Sequence, residues 1–178
     1  MSDLAMELRS IDVEKRTLVG VCVPYDETSY LAPNPNGERV RRGAFTKSIA
    51  QRGDRIYLNR EHNKEATVGR SVRFDDDAEG LVGEFHIRRC ALGDDTLAEL
   101  NDGYWPHLSV GFKALQMGRG TDGATEVVEA YLGHVALVKT PAYEGAGVLG
   151  LRTANLEEVM AGFGPRPELD LTPIAPLF

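Results

Sequence analysis

The run His107-Leu108-Ser109-Val110-Gly111-Phe112 continues to Leu115 as an apolar, strand-like segment with a serine inside it and a glycine two positions later. A second segment, Thr125 to Val138, lies beyond a polar turn from Met117 to Ala124. Together they read as a hairpin around which the other strands must be arranged.

Upstream, short strand-like runs separated by Gly, Pro, Asn and Asp dominate. Thr17 to Val23 alternates, is rich in β-branched residues and stops at Pro24. Asp26 to Glu38 carries Pro33, Asn34, Pro35, Asn36 and Gly37 and reads as a loop. A short helix is expected from Phe45 to Gln51, with Gly53 placed where a helix end accepts positive φ. A strand from Arg55 follows and closes at His62. Ala66 to Phe74 and Leu81 to Ile87 flank the turn Asp75 to Gly80 as another hairpin. Asp94-Asp95 opens a helix through Asn101, with Gly103 just past its end. Pro141-Ala142-Tyr143 ends the last strand.

Beyond Gly150 the character changes. Asn155 to Gly162 reads as a capped helix, and Pro165, Pro167, Pro173 and Pro176 punctuate the tail. The expected architecture is mainly β (α+β): an antiparallel β-barrel core of about seven strands with short peripheral helices. One domain is expected over 1–150, followed by a C-terminal segment over 151–178.

The sequence has 178 residues, enough for one domain with a real core. A formal net charge of −7 argues against a nucleic-acid partner, whose footprint on a protein is basic. No apolar run approaches the roughly 20 residues that span a bilayer, and the first residues lack the order of a secretory signal, so no membrane association is expected. Cys22 and Cys90 stand apart with no CxxC spacing, which reads as two buried thiols in a reducing cytoplasm.

A serine nucleophile needs a base within hydrogen-bond reach, and the base needs a third group to orient it. Ser109, His62 and His134 fall on separate strand-like runs and could meet that requirement with no acidic residue. Taken alone, a strand serine most often faces solvent or bonds to backbone, so the combination carries the reading. His86 alternates with Phe85 and Ile87 on a face shared with Glu84 and Arg88, and is expected to be exposed. His107 shares a face with Ser109 and can reach a site without taking part in chemistry. No HExxH, close Cys/His pairing, GxGxxG or GxxxxGK[ST] pattern appears, so neither a metal nor a cofactor is expected.

Four motifs in order carry a resemblance: Arg42-Gly43-Ala44-Phe45; Asn59-Arg60-Glu61-His62 with Val68-Gly69-Arg70; Leu108-Ser109-Val110-Gly111-Phe112; and Val135-Ala136-Leu137-Val138-Lys139-Thr140-Pro141-Ala142. The succession resembles the prohead maturation proteases of tailed phages, similar in fold to the herpesvirus capsid protease, assemblin. His134-Val135-Ala136-Leu137 resembles the assemblin motif that bears its third catalytic residue. The paired arginines that follow in assemblin are not matched here, where Val138-Lys139-Thr140-Pro141 stands.

The resemblance implies a serine endopeptidase with Ser109 as nucleophile, His62 as base and His134 as orienting group. Its substrates would be scaffold and capsid-protein segments inside the immature capsid in the host cytoplasm, and its own chain. It also implies a homodimer. Backbone N–H groups near Val110 and Gly111, or from the loop after His134, are candidate oxyanion donors, and Arg70 could support the site electrostatically. The tail over 151–178 would serve self-cleavage or scaffold docking. A neutral imidazole as third member supports a developing imidazolium less than a carboxylate does, so slow turnover is expected. The competing readings are a non-catalytic capsid-assembly factor of the same fold and, more weakly, a zinc hydrolase using His62 and His134.

Overall fold

The computed structural model describes residues 16–30, 35–78 and 80–148. Its elements in sequence order are β1 (Thr17–Pro24), β2 (Glu38–Val40), α1 (Thr46–Arg52), β3 (Tyr57–Arg60), β4 (Asn63–Asp76), β5 (Gly80–Ile87), α2 (Ala91–Asn101), β6 (His107–Arg119), β7 (Thr125–Val138) and β8 (Gly147–Val148). The expected helix over 155–162 and the tail lie outside the described residues.

β7 organises the sheet. Along one edge it pairs antiparallel with β6, from His107 opposite Val138 to Arg119 opposite Thr125. Along the other it pairs in parallel with β2 and then with β3. α1 carries the backbone back between β2 and β3, so both run in the same direction along that edge. From β3 the path continues through β4, β5, β1 and β8. The mainly β character stands, with two helices among the described residues. The expected antiparallel barrel is not borne out: among the described residues no strand ladder joins β8 to β6, and two of the pairs are parallel.

Alternation along the strands puts one set of side chains inside. Leu108 and Val110 of β6, Val135 and Leu137 of β7, and Leu58 of β3 join one core with Phe45, Ile56, Phe85, Leu97 and Trp105. The intervening residues, Ser109, Gly111, His134, Ala136, Tyr57 and Asn59, therefore share the opposite face. α1 docks through the buried Ser48, whose hydroxyl accepts the Leu132 N–H at 2.9 Å.

Local geometry differs from the sequence expectations in several places. α2 begins at Ala91, earlier than Asp94, because the Cys90 side chain caps it by accepting from the Gly93 N–H. Cys90 is half-buried, while Cys22 is fully buried, and both thiols are free. Gly53 keeps right-handed φ of −58°; it is small because a Cβ there would lie 2.7 Å from the Ile49 carbonyl oxygen. Glu84 is buried against Arg73 at 2.8 Å, and His86 is half-buried, because β5 lies between β4 and β1 in mid-sheet. His62 is not a strand residue: Glu61 and His62, with φ of 48° and 57°, form the turn between paired Arg60 and Asn63.

Gly69 lies against backbone in the sheet, since a Cβ there would run into the His86 backbone carbonyl. Backbone cannot yield as a side chain can. Gly69→Ala should therefore lower the unfolding free energy by about 1–3 kcal/mol in a urea titration. Gly118→Ala, whose Cβ would meet Val128 Cγ2 at 3.6 Å and Glu126 Cβ at 3.9 Å, both ordinary contacts, should leave stability nearly unchanged.

Candidate active site

Three strand registers assemble the site. Ser109 stands opposite Ala136, and Gly111 opposite His134, so the serine and the histidine are diagonal neighbours on one face. On the far edge of β7, Ala136 faces Asn59 and His134 faces Tyr57. The β6–β7 register slips just beyond, between Gly111 and Phe112, where Phe112 pairs with Leu132 and Gly133 is passed over. A Cβ on Gly111 would collide with the His134 ring, so the absent side chain is the space the imidazole occupies.

His62 arrives from the turn between β3 and β4. Both turn residues adopt left-handed backbone, a conformation costing about 1–2 kcal/mol for each non-glycine residue. Tertiary contacts hold it. The Glu61 N–H donates to the Leu137 carbonyl at 2.9 Å, and the Glu61 carboxylate accepts the Lys139 N–H at 3.2 Å. Arg60, beside the turn, pairs with Glu99 of α2 at 3.0 Å and lies 4.7 Å from the centre of the Trp105 ring. The end of β7 thus anchors the turn.

The result is a hydrogen-bonded line. His62 Nε2 lies 3.1 Å from Ser109 Oγ, and His62 Nδ1 lies 2.8 Å from His134 Nε2. The two rings meet edge-on, 73° apart, with centroids at 5.1 Å. For His62 Nε2 to accept from the serine hydroxyl, its proton must sit on Nδ1, which then donates to His134 Nε2. Ser109 is 6% exposed, so its hydroxyl stands in a largely dehydrated place.

Electrostatics favours the neutral imidazoles. Burial holds the His62 pKa below its ordinary value, and the Glu61 carboxylate partly offsets that effect. Burial also lowers His134, with the charges of His62 and Lys64 adding to it. A base that is neutral near pH 7 can accept a proton.

Other expected residues fall elsewhere. His107 shares the face but directs Nδ1 to the Ala146 carbonyl at 3.1 Å. Arg70 lies on β4 opposite Tyr57, removed from the three-residue cluster. Val110 and Gly111 directly follow the serine on β6. Among the described residues no group of three or more His, Cys, Asp or Glu is gathered as a metal site.

Sequence reasoning missed Glu61 and the steric part of Gly111. The hairpin register would have revealed Gly111, because counting back from the turn sets it against His134. Nothing in the sequence marks Glu61 as the tie between the His62 turn and β7. It also missed Asn59, which is 1% exposed on the site's face with Oδ1 unpaired.

Residues 4–160 match the family model described as caudovirus prohead serine protease. No curated protein sequence matches this one. Among solved structures it is similar to the bacteriophage T4 capsid assembly protease, with a TM-score of 0.54 and 12% identity over 70% of this chain and 81% of that one. The varicella-zoster virus protease gives a TM-score of 0.45 and 15% identity, covering 74% of this chain and 62% of that one. The KSHV protease bound to a hexapeptide phosphonate inhibitor gives 0.43 and 16%, covering 74% and 63%. At 12% identity the likeness to the T4 protease bears on fold alone, but the family match spans most of the sequence, and the chain belongs to the caudovirus prohead serine protease family.

Proposed function

We propose that this protein is a serine endopeptidase that cleaves scaffold and capsid-protein segments, and its own chain, during prohead maturation. The observation that carries the reading is the unbroken line from Ser109 Oγ through His62 to His134. In the first step Ser109 attacks the scissile carbonyl while its proton passes to His62 Nε2. His134 accepts from Nδ1 throughout and holds the ring plane. In the second half of acylation the proton passes from His62 to the departing amine, and water later repeats the sequence on the acyl-enzyme.

The oxyanion falls beside the backbone of β6. Among the described strands β6 pairs with β7 alone, and alternate residues of an antiparallel strand turn their N–H groups away from the partner. One of the consecutive N–H groups of Val110 and Gly111 is thereby turned outward beside the nucleophile. The segment 151–178, with its prolines, is the proposed site of self-cleavage or scaffold docking.

The direct test is intact-mass analysis after co-expression with capsid protein and scaffold. Wild type should trim its substrates and Ser109→Ala should not; identical masses for both would favour a non-catalytic assembly factor. His62→Ala should lower kcat by about 10²–10⁴-fold, the span of general acid–base catalysis. His134→Ala should cost less, since the base survives without its orienting partner.

The pH dependence follows from the depressed histidines. kcat/KM should hold through neutral pH and fall only below about 6.5, the ordinary histidine value. Glu61→Gln removes a charge that favours the imidazolium. It should therefore lower the His62 pKa further, move the acid limb to lower pH and reduce the plateau; an upward move would contradict the account.

A further inference from the structure

The sheet face that carries the site extends well past it. In register across the strands, Gly111 stands beside His134, His134 beside Tyr57, Tyr57 beside Arg70, and Arg70 beside His86. Cα partners in neighbouring strands place their side chains on the same face, so these residues form one row leading away from the serine. Tyr57, Arg70 and His86 are all half-buried, forming a partly open surface.

The far end of the row is cationic in a protein whose net charge is −7. Arg70 stands opposite His86 across β4 and β5, and the charges of Arg16, Arg89 and Arg70 add to burial in lowering the His86 pKa. Arg16 is committed, to Asp94 at 2.7 Å and to the carbonyls of Ile87 and Arg88. Arg70 and Arg89 have no ionic partner among the described residues, and the buried Nδ1 of His86 has no hydrogen-bond partner. Nearer the site, the exposed Lys64 adds positive potential at His134, and Glu61 is the opposing charge beside His62. Unpaired guanidinium groups on a partly open surface are a ready site for carboxylates.

The chemistry fixes which part of a substrate would meet them. His62 returns its proton to the leaving amine, so the peptide that follows the scissile bond departs on the side of His62. That residue reaches the serine from the β3–β4 turn, and the row runs toward β3 and β4. Three strand spacings separate β6 from β4, about 14 Å, which an extended peptide covers in about four residues.

Resting on the serine-protease reading above, we propose that Arg70, with Arg89 beyond it, binds acidic side chains of the substrate two to four residues after the scissile bond. The substrates selected in this way are segments with Asp or Glu on the leaving side. The overall negative charge of the protein favours such a peptide over nucleic acid, because outside this strip the surface repels polyanions.

The test uses the full-length protein and peptides spanning a site identified by intact mass, with Glu, Gln or Lys at those three positions. Wild type should cleave the Glu peptides about fivefold faster in kcat/KM than the Gln peptides, the upper range of an exposed ion pair. The preference should shrink with added salt. Arg70→Glu should abolish the Glu-over-Gln ratio and favour Lys. Ser109-dependent cleavage that ignores charge, or a ratio unchanged in both Arg70→Glu and Arg89→Glu, would overturn this proposal while leaving the protease reading intact. Peptide cleavage that survives Ser109→Ala would overturn the reading beneath it. Loss of duplex-DNA binding in Arg70→Glu with an unchanged peptide ratio would reassign the strip to nucleic acid and so overturn the proposal.

Discussion

Everything at the site is measured from one strand. β7 is paired along both edges, and each pairing delivers a component. β6 brings Ser109 opposite Ala136, β7 itself bears His134, and the carbonyl of Leu137 and the N–H of Lys139 hold the turn that presents His62. A strand bonded on both sides has little freedom to shift, because a slip by one residue would exchange its two faces. Catalytic geometry tolerates errors of only a fraction of an ångström. A common reference strand is a direct way to keep three distant segments within that tolerance.

The His62–Ser109 and His62–His134 contacts also explain two features that otherwise look like defects. The first is left-handed backbone at two non-glycine residues, Glu61 and His62. That conformation turns the imidazole back over the sheet, and the strain is offset by bonds to the end of β7 and by Arg60 against Glu99 and Trp105. The second is Gly111, a residue with no side chain to pack, two positions after Ser109 in β6. Its emptiness is filled by His134.

The hairpin of β6 and β7 was legible because its alternation is long and its turn is polar. The resemblance also singled out Ser109, His62 and His134, whose side chains lie in succession within hydrogen-bond distance along one line, with His62 in a turn and the other two on strands. The parallel pairing of β2 and β3 with β7 was not legible: these strands have only three and four residues, and their partner is far away in sequence. Nor was the turn at His62, because Glu-His lacks the Asn-Gly or Asp-Gly signature of a two-residue hairpin loop and is imposed by tertiary bonds. The expected exposure of Glu84 failed for a related reason. Alternation of polar with apolar residues predicts a solvated face, whereas here the polar residue is buried and satisfied by Arg73. Local pattern reports periodicity; it does not report what covers the second face.

The central claim is that Ser109 is a nucleophile activated through His62. Covalent labelling with a fluorophosphonate, mapped by peptide mass spectrometry, tests it most directly, since such reagents report an activated serine independently of substrate. The account predicts a single adduct on Ser109 that disappears in His62→Ala. An adduct on another residue, or labelling of Ser109 undiminished by loss of His62, would contradict it.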